Sequence, residues 1–268
     1  MTGELLRIAV RVPAHDAERA RARLLGIAPD GFEEIEAGGD VELAIYAERS
    51  RAAALLAVLP EATTSPVEAG WADAWRAFHR PVVVGGVWIG PPWEEPPAGV
   101  PAVVIDPGRA FGTGAHPTTR LCVELLARIE RGSLLDVGCG SGVVAIAAQR
   151  LGFGPLRATD VDPVAVEVAR ANAVANGVAL APQRADAATD ALPRTRVAVA
   201  NIALAAVEAA LARLAAREVV TSGYLVHERP AAPGWLHVRR LELDGWVADH
   251  FRCSAGRGRG EGRRRLRS

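Results

Sequence analysis

No segment constrains this chain more than Asp136-Val137-Gly138-Cys139-Gly140-Ser141-Gly142. It follows a short apolar run, Ser133 to Val137, and precedes a helical pattern from Val143 to Leu151, so it reads as a strand-to-helix turn. Glycines at such a turn let the backbone approach a ligand closely and adopt positive φ. Twenty-two residues after Gly138, at the end of the next strand-like run, Leu156 to Thr159, stands Asp160. A carboxylate there accepts hydrogen bonds from both hydroxyls of a ribose. One glycine loop alone is weak. An acid before it and a second acid after the next strand make a nucleoside site the expected reading. A nicotinamide fingerprint wants Gly or Ala three positions after Gly140, and Val143 stands there.

The surroundings agree with this reading. From Ala102 onward strands alternate with helices: a helix at Pro163 to Asn176, a strand at Val197 to Ile202, a helix at Leu204 to Ala216 and a strand at Glu218 to Tyr224. That alternation predicts a parallel sheet covered on both faces, an α/β Rossmann-like domain. After Leu225 the next helix is missing from the pattern, because Pro230 and Pro233 interrupt it. Val238 to Leu243 and Val247 to Cys253, joined by Asp244-Gly245, predict a closing hairpin instead.

Composition narrows the class. Half of the 268 residues are hydrophobic and 23% are charged, which excludes a mostly disordered chain. No run of about 18 apolar residues exists, and the first residues lack the pattern of a signal peptide. Cys122, Cys139 and Cys253 form no Cys-x-x-Cys, which excludes a disulfide framework and a cysteine-built zinc site. A soluble, cytoplasmic protein without a metal is expected, acting as a monomer. All 31 basic residues are arginine, and the formal charge is zero. From Arg257 to Ser268 six arginines face one glutamate, a local balance of +5, which leaves −5 on the remaining residues. A mildly acidic body suits a basic protein substrate better than a nucleic acid, and a solvated, disordered Arg/Gly-rich tail is expected over 254–268.

The first seventy residues read as strand, helix, strand, strand, helix and weak strand. The strands are Leu6 to Val12, Phe32 to Glu36, Val41 to Tyr46 and Ser65 to Glu68. The helices are Asp16 to Leu25, ended by Gly26, and Arg49 to Leu59. That order suggests a small α+β, ferredoxin-like domain over 1–69. A linker follows over 70–101. Trp71, Trp75 and Phe78 lie at i, i+4 and i+7 on a helix stopped by Pro81. Val82 to Ile89 is a strand run, and five prolines fall between Pro91 and Pro101. The larger domain is expected over 102–253.

The glycine loop with Asp136 and Asp160 resembles the S-adenosylmethionine site of Rossmann-type methyltransferases. In that resemblance Gly138 and Gly140 approach the cofactor, Asp136 faces its methionine ammonium, and Asp186, after a strand at Ala181 to Arg184, touches the adenine. A second constellation is Asp106-Pro107-Gly108-Arg109-Ala110-Phe111-Gly112-Thr113-Gly114-Ala115-His116-Pro117-Thr118-Thr119. It resembles the Asp-Pro-Gly-x-Ala-Phe-Gly-Thr-Gly-x-His-x-Thr-Thr signature of the PrmA family, bacterial methyltransferases of large-subunit ribosomal protein eleven. The Trp71-x-x-x-Trp75-Arg76 and Trp88-Ile89-x-Pro91-x-Trp93 elements are similar to that family too. The resemblance implies cofactor contacts from Thr119, Gly138, Asp160 and Asn201. It places Phe111, Gly112, Thr113 and His116 in a loop closing over the cofactor. Read by itself, His116 is first a capping or packed histidine, with a catalytic role as the alternative.

Asn201 follows the strand Val197 to Ala200 at the edge where an open α/β sheet presents its chemistry. The resemblance makes the Asn201 amide oxygen and the Ile202 carbonyl acceptors for the incoming amine. A lysine of pKa about 10.4 costs about 4.6 kcal/mol to neutralise at pH 7, and a cationic sulfonium beside a desolvated site lowers that cost. The family resemblance thus implies methylation of lysine side-chain and N-terminal amines of the ribosomal protein, without an obligatory nucleic acid. Two alternatives stand beside it. One is a methyltransferase for another amine or a nucleic-acid base, although Ile202-Ala203-Leu204 offers no ring to stack a base. The other is a non-catalytic, ribosome-associated cofactor binder, suggested by the missing late helix and the lack of a Pro-Gly-Gly turn before Glu218.

Overall fold

The protein is described by a computed structural model covering residues 5–27, 32–67, 80–106 and 114–254. The chain divides into two compact units, Met1–Phe78 and His79–Ser268. The aromatic helix expected at 71–78 and the tail at 255–268 lie outside the described residues.

The first unit runs β1 (Leu5–Pro13), α1 (Ala17–Ile27), β2 (Glu33–Ala37), β3 (Asp40–Glu48), α2 (Arg49–Val58) and β4 (Thr63–Pro66). Its four strands form one antiparallel sheet in the order β2-β3-β1-β4. Ile8, Val10, Leu43 and Ile45 alternate inward along β1 and β3 and meet Leu24, Leu55 and Leu59 beneath the helices. On β1–β3, the Arg7 guanidinium bonds Glu33 (3.1 Å) and Glu42 (2.7 Å), and Tyr46 donates to Glu33 at 2.8 Å. One expectation is corrected here. Gly26 does not end α1, which continues to Ile27. A glycine costs a helix only about 1 kcal/mol, which neighbouring packing overrides.

The second unit begins with β5 (Val82–Val84), β6 (Val87–Gly90) and β7 (Ala102–Val104). The single strand expected over Val82 to Ile89 is thus a hairpin. Gly85 and Gly86 both have positive φ, +59° and +82°, and turn the chain between two strands that the apolar run alone makes look continuous. These strands are no mere linker, because Val87, Ile89, Val103 and Ile105 are buried in the main core of this unit.

The remaining elements are α3 (Pro117–Leu126), β8 (Leu134–Val137), α4 (Val143–Arg150), β9 (Leu156–Asp160), α5 (Pro163–Ala175), β10 (Gln183–Arg184), β11 (Val197–Asn201), α6 (Leu204–Arg213), β12 (Glu218–Leu225), β13 (Trp235–Leu243) and β14 (Trp246–Cys253). The large sheet has the order β10-β9-β8-β11-β12-β14-β13. Its first five strands are parallel, and the last two form an antiparallel hairpin. The predicted closing hairpin is therefore present, and no helix separates β12 from β13. β8 and β11 are buried and apolar almost throughout, as strands covered on both faces must be, and β12 is buried nearly as fully although it carries Glu218, Thr221 and Ser222.

Two cores flank this sheet. One packs α3, α4 and α5 against it, and Ala145, Ala147 and Ala148 of α4 are small enough for close approach. The other packs Val207, Ala210 and Leu211 of α6 with Tyr224, Trp235 and Phe251. α5 shows a legible amphipathic pattern: Ala165, Val166, Ala169, Asn172 and Ala173 are buried, at i, i+1, i+4, i+7 and i+8. It starts at Pro163, with Asp162 accepting from the Val164 N–H at 2.8 Å. Among the described residues no helix is long and apolar enough to cross a membrane.

Candidate functional site

The parallel register lines up the residues that the sequence singles out. Val137 at the end of β8 pairs with Thr159 of β9, and Ala200 of β11 pairs with Val137. The next residue along each strand is Gly138, Asp160 or Asn201. These three therefore stand in one row across three adjacent strands, about 4.8 Å apart from strand to strand. The row crosses the point where the strand order reverses, β8 to β11, where open α/β sheets place their ligands.

Asp160 is held from two sides. Its Oδ2 accepts from the Gly140 N–H at 2.9 Å and its Oδ1 from the Asp162 N–H at 3.0 Å. Both oxygens keep a second acceptor position, so the carboxylate is oriented without being used up. The Gly138 and Cys139 N–H groups both donate to the Thr159 carbonyl, at 2.8 and 3.0 Å. Gly138 has φ +68°, and a Cβ there would lie 2.2 Å from the Ile202 Cγ2. The glycine loop thus rests directly on the end of β11, and only glycine fits there. Gly142, φ +79°, lies against Ala169 of α5 and begins α4.

Asp136 is 2% exposed and accepts from the Ala145 N–H at 3.1 Å in the first turn of α4. Burial drives its pKa up to about 7; the Ala145 bond opposes this and the Asp160 charge adds to it. A buried carboxylate at a helix N-terminus, short of counter-charge, is a receiver for a cationic ligand group.

Asn201 Oδ1 is buried with no hydrogen-bond partner among the described residues, and so is Thr119 Oγ1. A polar atom buried in this way costs about 1–3 kcal/mol unless something bonds it. The sequence marks both residues as cofactor contacts and the Asn201 oxygen also as an acceptor for an amine, and their unmet hydrogen bonds leave them available to such partners. Ile202 donates its N–H to the Ser222 carbonyl at 3.1 Å. Its own carbonyl is crowded by Gly223, φ +99°, whose Cβ would meet that oxygen at 2.2 Å.

His116 is the N-cap of α3. Its Nδ1 lies 2.8 Å from the Thr118 hydroxyl and accepts weakly from the Thr118 N–H at 3.4 Å, with Pro117 in the first helical position. Burial lowers its pKa to about 4, so the ring is neutral at pH 7. Asp186 follows β10, which is only two residues long against the four expected. Its Oδ1 accepts from the Ala188 N–H at 2.8 Å, and Ala185 is tied to the Asp160 carbonyl at 2.9 Å. That keeps Asp186 beside the row, with one carboxylate oxygen engaged in its own turn. Phe111, Gly112 and Thr113 lie outside the described residues. Among the described residues no cluster of His, Cys, Asp or Glu has the makings of a metal site.

Trp246 was not singled out from the sequence. Its ring lies edge-on to His116, 5.1 Å between centroids at 67°. The contact joins residues 130 positions apart, and no local pattern announces it.

Comparisons with known proteins identify the family. The family model of ribosomal protein L11 methyltransferase (PrmA) matches residues 41–228. A ribosomal protein L11 methyltransferase of Symbiobacterium thermophilum is 39% identical over 231 residues, covering 78% of this chain and 76% of that one. Its counterpart in Dechloromonas aromatica is 45% identical over 174 residues, 63% of this chain and 57% of that one. Against several such relatives, then, the matched region spans only about half of their length. The crystal structure of a ribosomal protein L11 methylase from Lactobacillus delbrueckii subsp. bulgaricus superposes with a TM-score of 0.60 at 26% identity, covering 66% of this chain and 99% of that one. By sequence and by fold, this chain belongs to the ribosomal protein L11 methyltransferase family.

Proposed function

We propose that the chain is an S-adenosylmethionine-dependent N-methyltransferase that modifies lysine side-chain and N-terminal amines of ribosomal protein L11. The observation that carries this reading is the row of Gly138, Asp160 and Asn201, with the buried, unmet oxygens of Asn201 and Thr119. The βαββαβ order of the first unit, with strands β2-β3-β1-β4, supports a ferredoxin-like module that holds the protein substrate. The reaction belongs in the cytoplasm, and the chain acts as a monomer.

When bound, S-adenosylmethionine supplies an electrophilic methyl group on a sulfonium sulfur. The chain's own residues do the rest. Asp160, already oriented by Gly140 and Asp162, receives the ribose hydroxyls. Gly138 and Gly140 leave room for the ligand along the loop, Asp136 balances the methionine ammonium, Asp186 meets the adenine side, and Thr119 offers its hydroxyl. Asn201 Oδ1 accepts an N–H from the incoming neutral amine and so directs the nitrogen lone pair at the methyl, with the Ile202 carbonyl as a second acceptor. The amine sheds its proton to solvent, a step that desolvation beside positive charge makes easier. His116, neutral and capping α3, shapes this pocket and is no reservoir for that proton at pH 7.

The test is intact-mass spectrometry of ribosomal protein L11 after incubation with this protein and S-adenosylmethionine, beside an Asp160→Ala control. Mass gains in methyl steps that vanish in the control are expected. Wild-type protein that binds the cofactor and adds no methyl group would overturn this reading in favour of another acceptor or a non-catalytic binder.

A further inference from the structure

The closing hairpin reaches the site through one residue. Trp246 opens β14 directly after the Asp244-Gly245 turn and pairs with Leu225 at the end of β12 and with Leu243 of β13. Along β12, Asn201 of β11 pairs with Ser222, three residues before Leu225. Trp246 therefore sits at the carboxyl edge of the sheet, the edge that carries Asn201, and it packs against the main core. Its indole meets the His116 ring edge to face, at 5.1 Å and 67°. An aromatic pair in this arrangement is favourable beyond the area it buries.

His116 is in turn the residue that caps α3, through its contacts with Thr118 at 2.8 and 3.4 Å. The next residue, Thr119, carries the buried, unmet hydroxyl of the site. The chain just before this turn is also tightly seated. Gly114, φ +90°, lies so close to Ile89 that a Cβ would fall 2.2 Å from its Cγ2 and 3.7 Å from the Val143 Cγ2. The chain entering α3 is thus held close to Ile89 at Gly114 and met by Trp246 at His116, its N-cap.

We propose that Trp246 is a positioning residue: its indole holds the His116 ring, the ring holds the first turn of α3, and that turn aims the Thr119 hydroxyl at the cofactor. The proposal rests on the reading of the site as an S-adenosylmethionine pocket. It makes the hairpin that replaces the missing helix a part of cofactor binding and not only of sheet closure.

The test compares Trp246→Phe, which keeps a ring, with Trp246→Leu, which keeps apolar bulk without one. Both are made in the wild-type and in the His116→Gln background, and the readout is S-adenosylmethionine affinity by calorimetry. Acceptor KM and thermal stability are measured alongside. Trp246→Leu is expected to weaken cofactor binding about three- to tenfold, the size of one lost edge-to-face pair. Trp246→Phe is expected to stay within about twofold, with acceptor KM unchanged in both. In the His116→Gln background Trp246→Leu is expected to add no further loss, because the ring it supports is gone. Equal affinities for the Phe and Leu variants, or a Leu effect that persists undiminished beside His116→Gln, would overturn the proposal. Failure of the wild-type protein to bind S-adenosylmethionine at all would instead sink the reading of the site. A Leu variant that did not fold would be replaced by Trp246→Met, with the same outcomes decisive.

Discussion

Replacing Asp136 with Asn makes the second unit more stable, and by an amount that grows with pH. The carboxylate is 2% exposed and accepts one backbone N–H, from Ala145. Its pKa rises from 3.8 to about 7, chiefly through burial. Between pH 4 and 7 the folded protein keeps a proton that the unfolded chain has already released, so stability falls as pH rises through this window and levels off above it. With 1.36 kcal/mol per unit, the cost of the buried charge is about 2 kcal/mol at pH 5 and about 4 kcal/mol at pH 8. Asn titrates nowhere in this range. The wild-type protein should therefore lose about 2 to 3 kcal/mol more than Asp136→Asn between pH 5 and pH 8. Urea unfolding of both proteins at the two pH values, followed by tryptophan fluorescence, measures the difference directly. Any fixed effect of the Asn amide cancels between the two pH values. Parallel losses in the two proteins would refute the reasoning, because they would mean that Asp136 ionises in the native site at no cost. Saturating S-adenosylmethionine should shrink the difference, since a cationic group brought to Asp136 favours its ionised form.

Four further outcomes are expected. Gly138→Ala combines a left-handed backbone, costing about 1–2 kcal/mol, with a Cβ lodged on Ile202; cofactor affinity should fall at least tenfold, read by calorimetry. Asp160→Ala frees Gly140 and Asp162 and removes the ribose acceptor, so binding should drop about a hundredfold while circular dichroism stays near wild type. On the proposed role of its oxygen as acceptor for the incoming amine, Asn201→Ala should lower kcat for methyl transfer about a hundredfold, with a smaller change in cofactor affinity. Asp249 is 1% exposed; burial pushes its pKa up, but hydrogen bonds from Arg240, His237 and Tyr224 outweigh burial and hold it below the usual carboxylate range. Its stabilisation is full above pH 4 and is lost as pH falls through that depressed value. Asp249→Ala, which strands Arg240, should cost about 3 kcal/mol at pH 7 in chemical unfolding.

The row of Gly138, Asp160 and Asn201 is legible in the sequence because each residue follows its own strand, and strands of a parallel sheet end together. Pro163 after Asp162, and Pro117 after His116, mark two helix starts for reasons confined to a few neighbouring residues. The pattern fails where structure depends on residues far apart. The apolar run from Val82 to Ile89 conceals a turn whose signal, Gly85-Gly86, is only two residues long. Gly26 has the form of a helix stop, yet α1 packs through it. The edge contact of His116 with Trp246, and the clasp of Arg240 on Asp249, join residues that only the folded sheet brings together. Arg240 also bonds the carbonyls of Val226 and Glu228, at 3.2 and 3.0 Å, and so fastens the stretch that stands where a helix was missing.

The alignment of Gly138, Asp160 and Asn201 has a consequence for the order in which this protein becomes competent. The first two are close in the chain and come together once β8 pairs with β9. Asn201 arrives only when β11, some sixty residues further on, takes its place on the other side of β8. A parallel pairing across that distance is a late and slow event in folding. A chain still emerging from synthesis, or one whose β11 has slipped by a residue, presents the glycine loop and Asp160 without Asn201 beside them. The complete row is thereby a signature of the finished sheet.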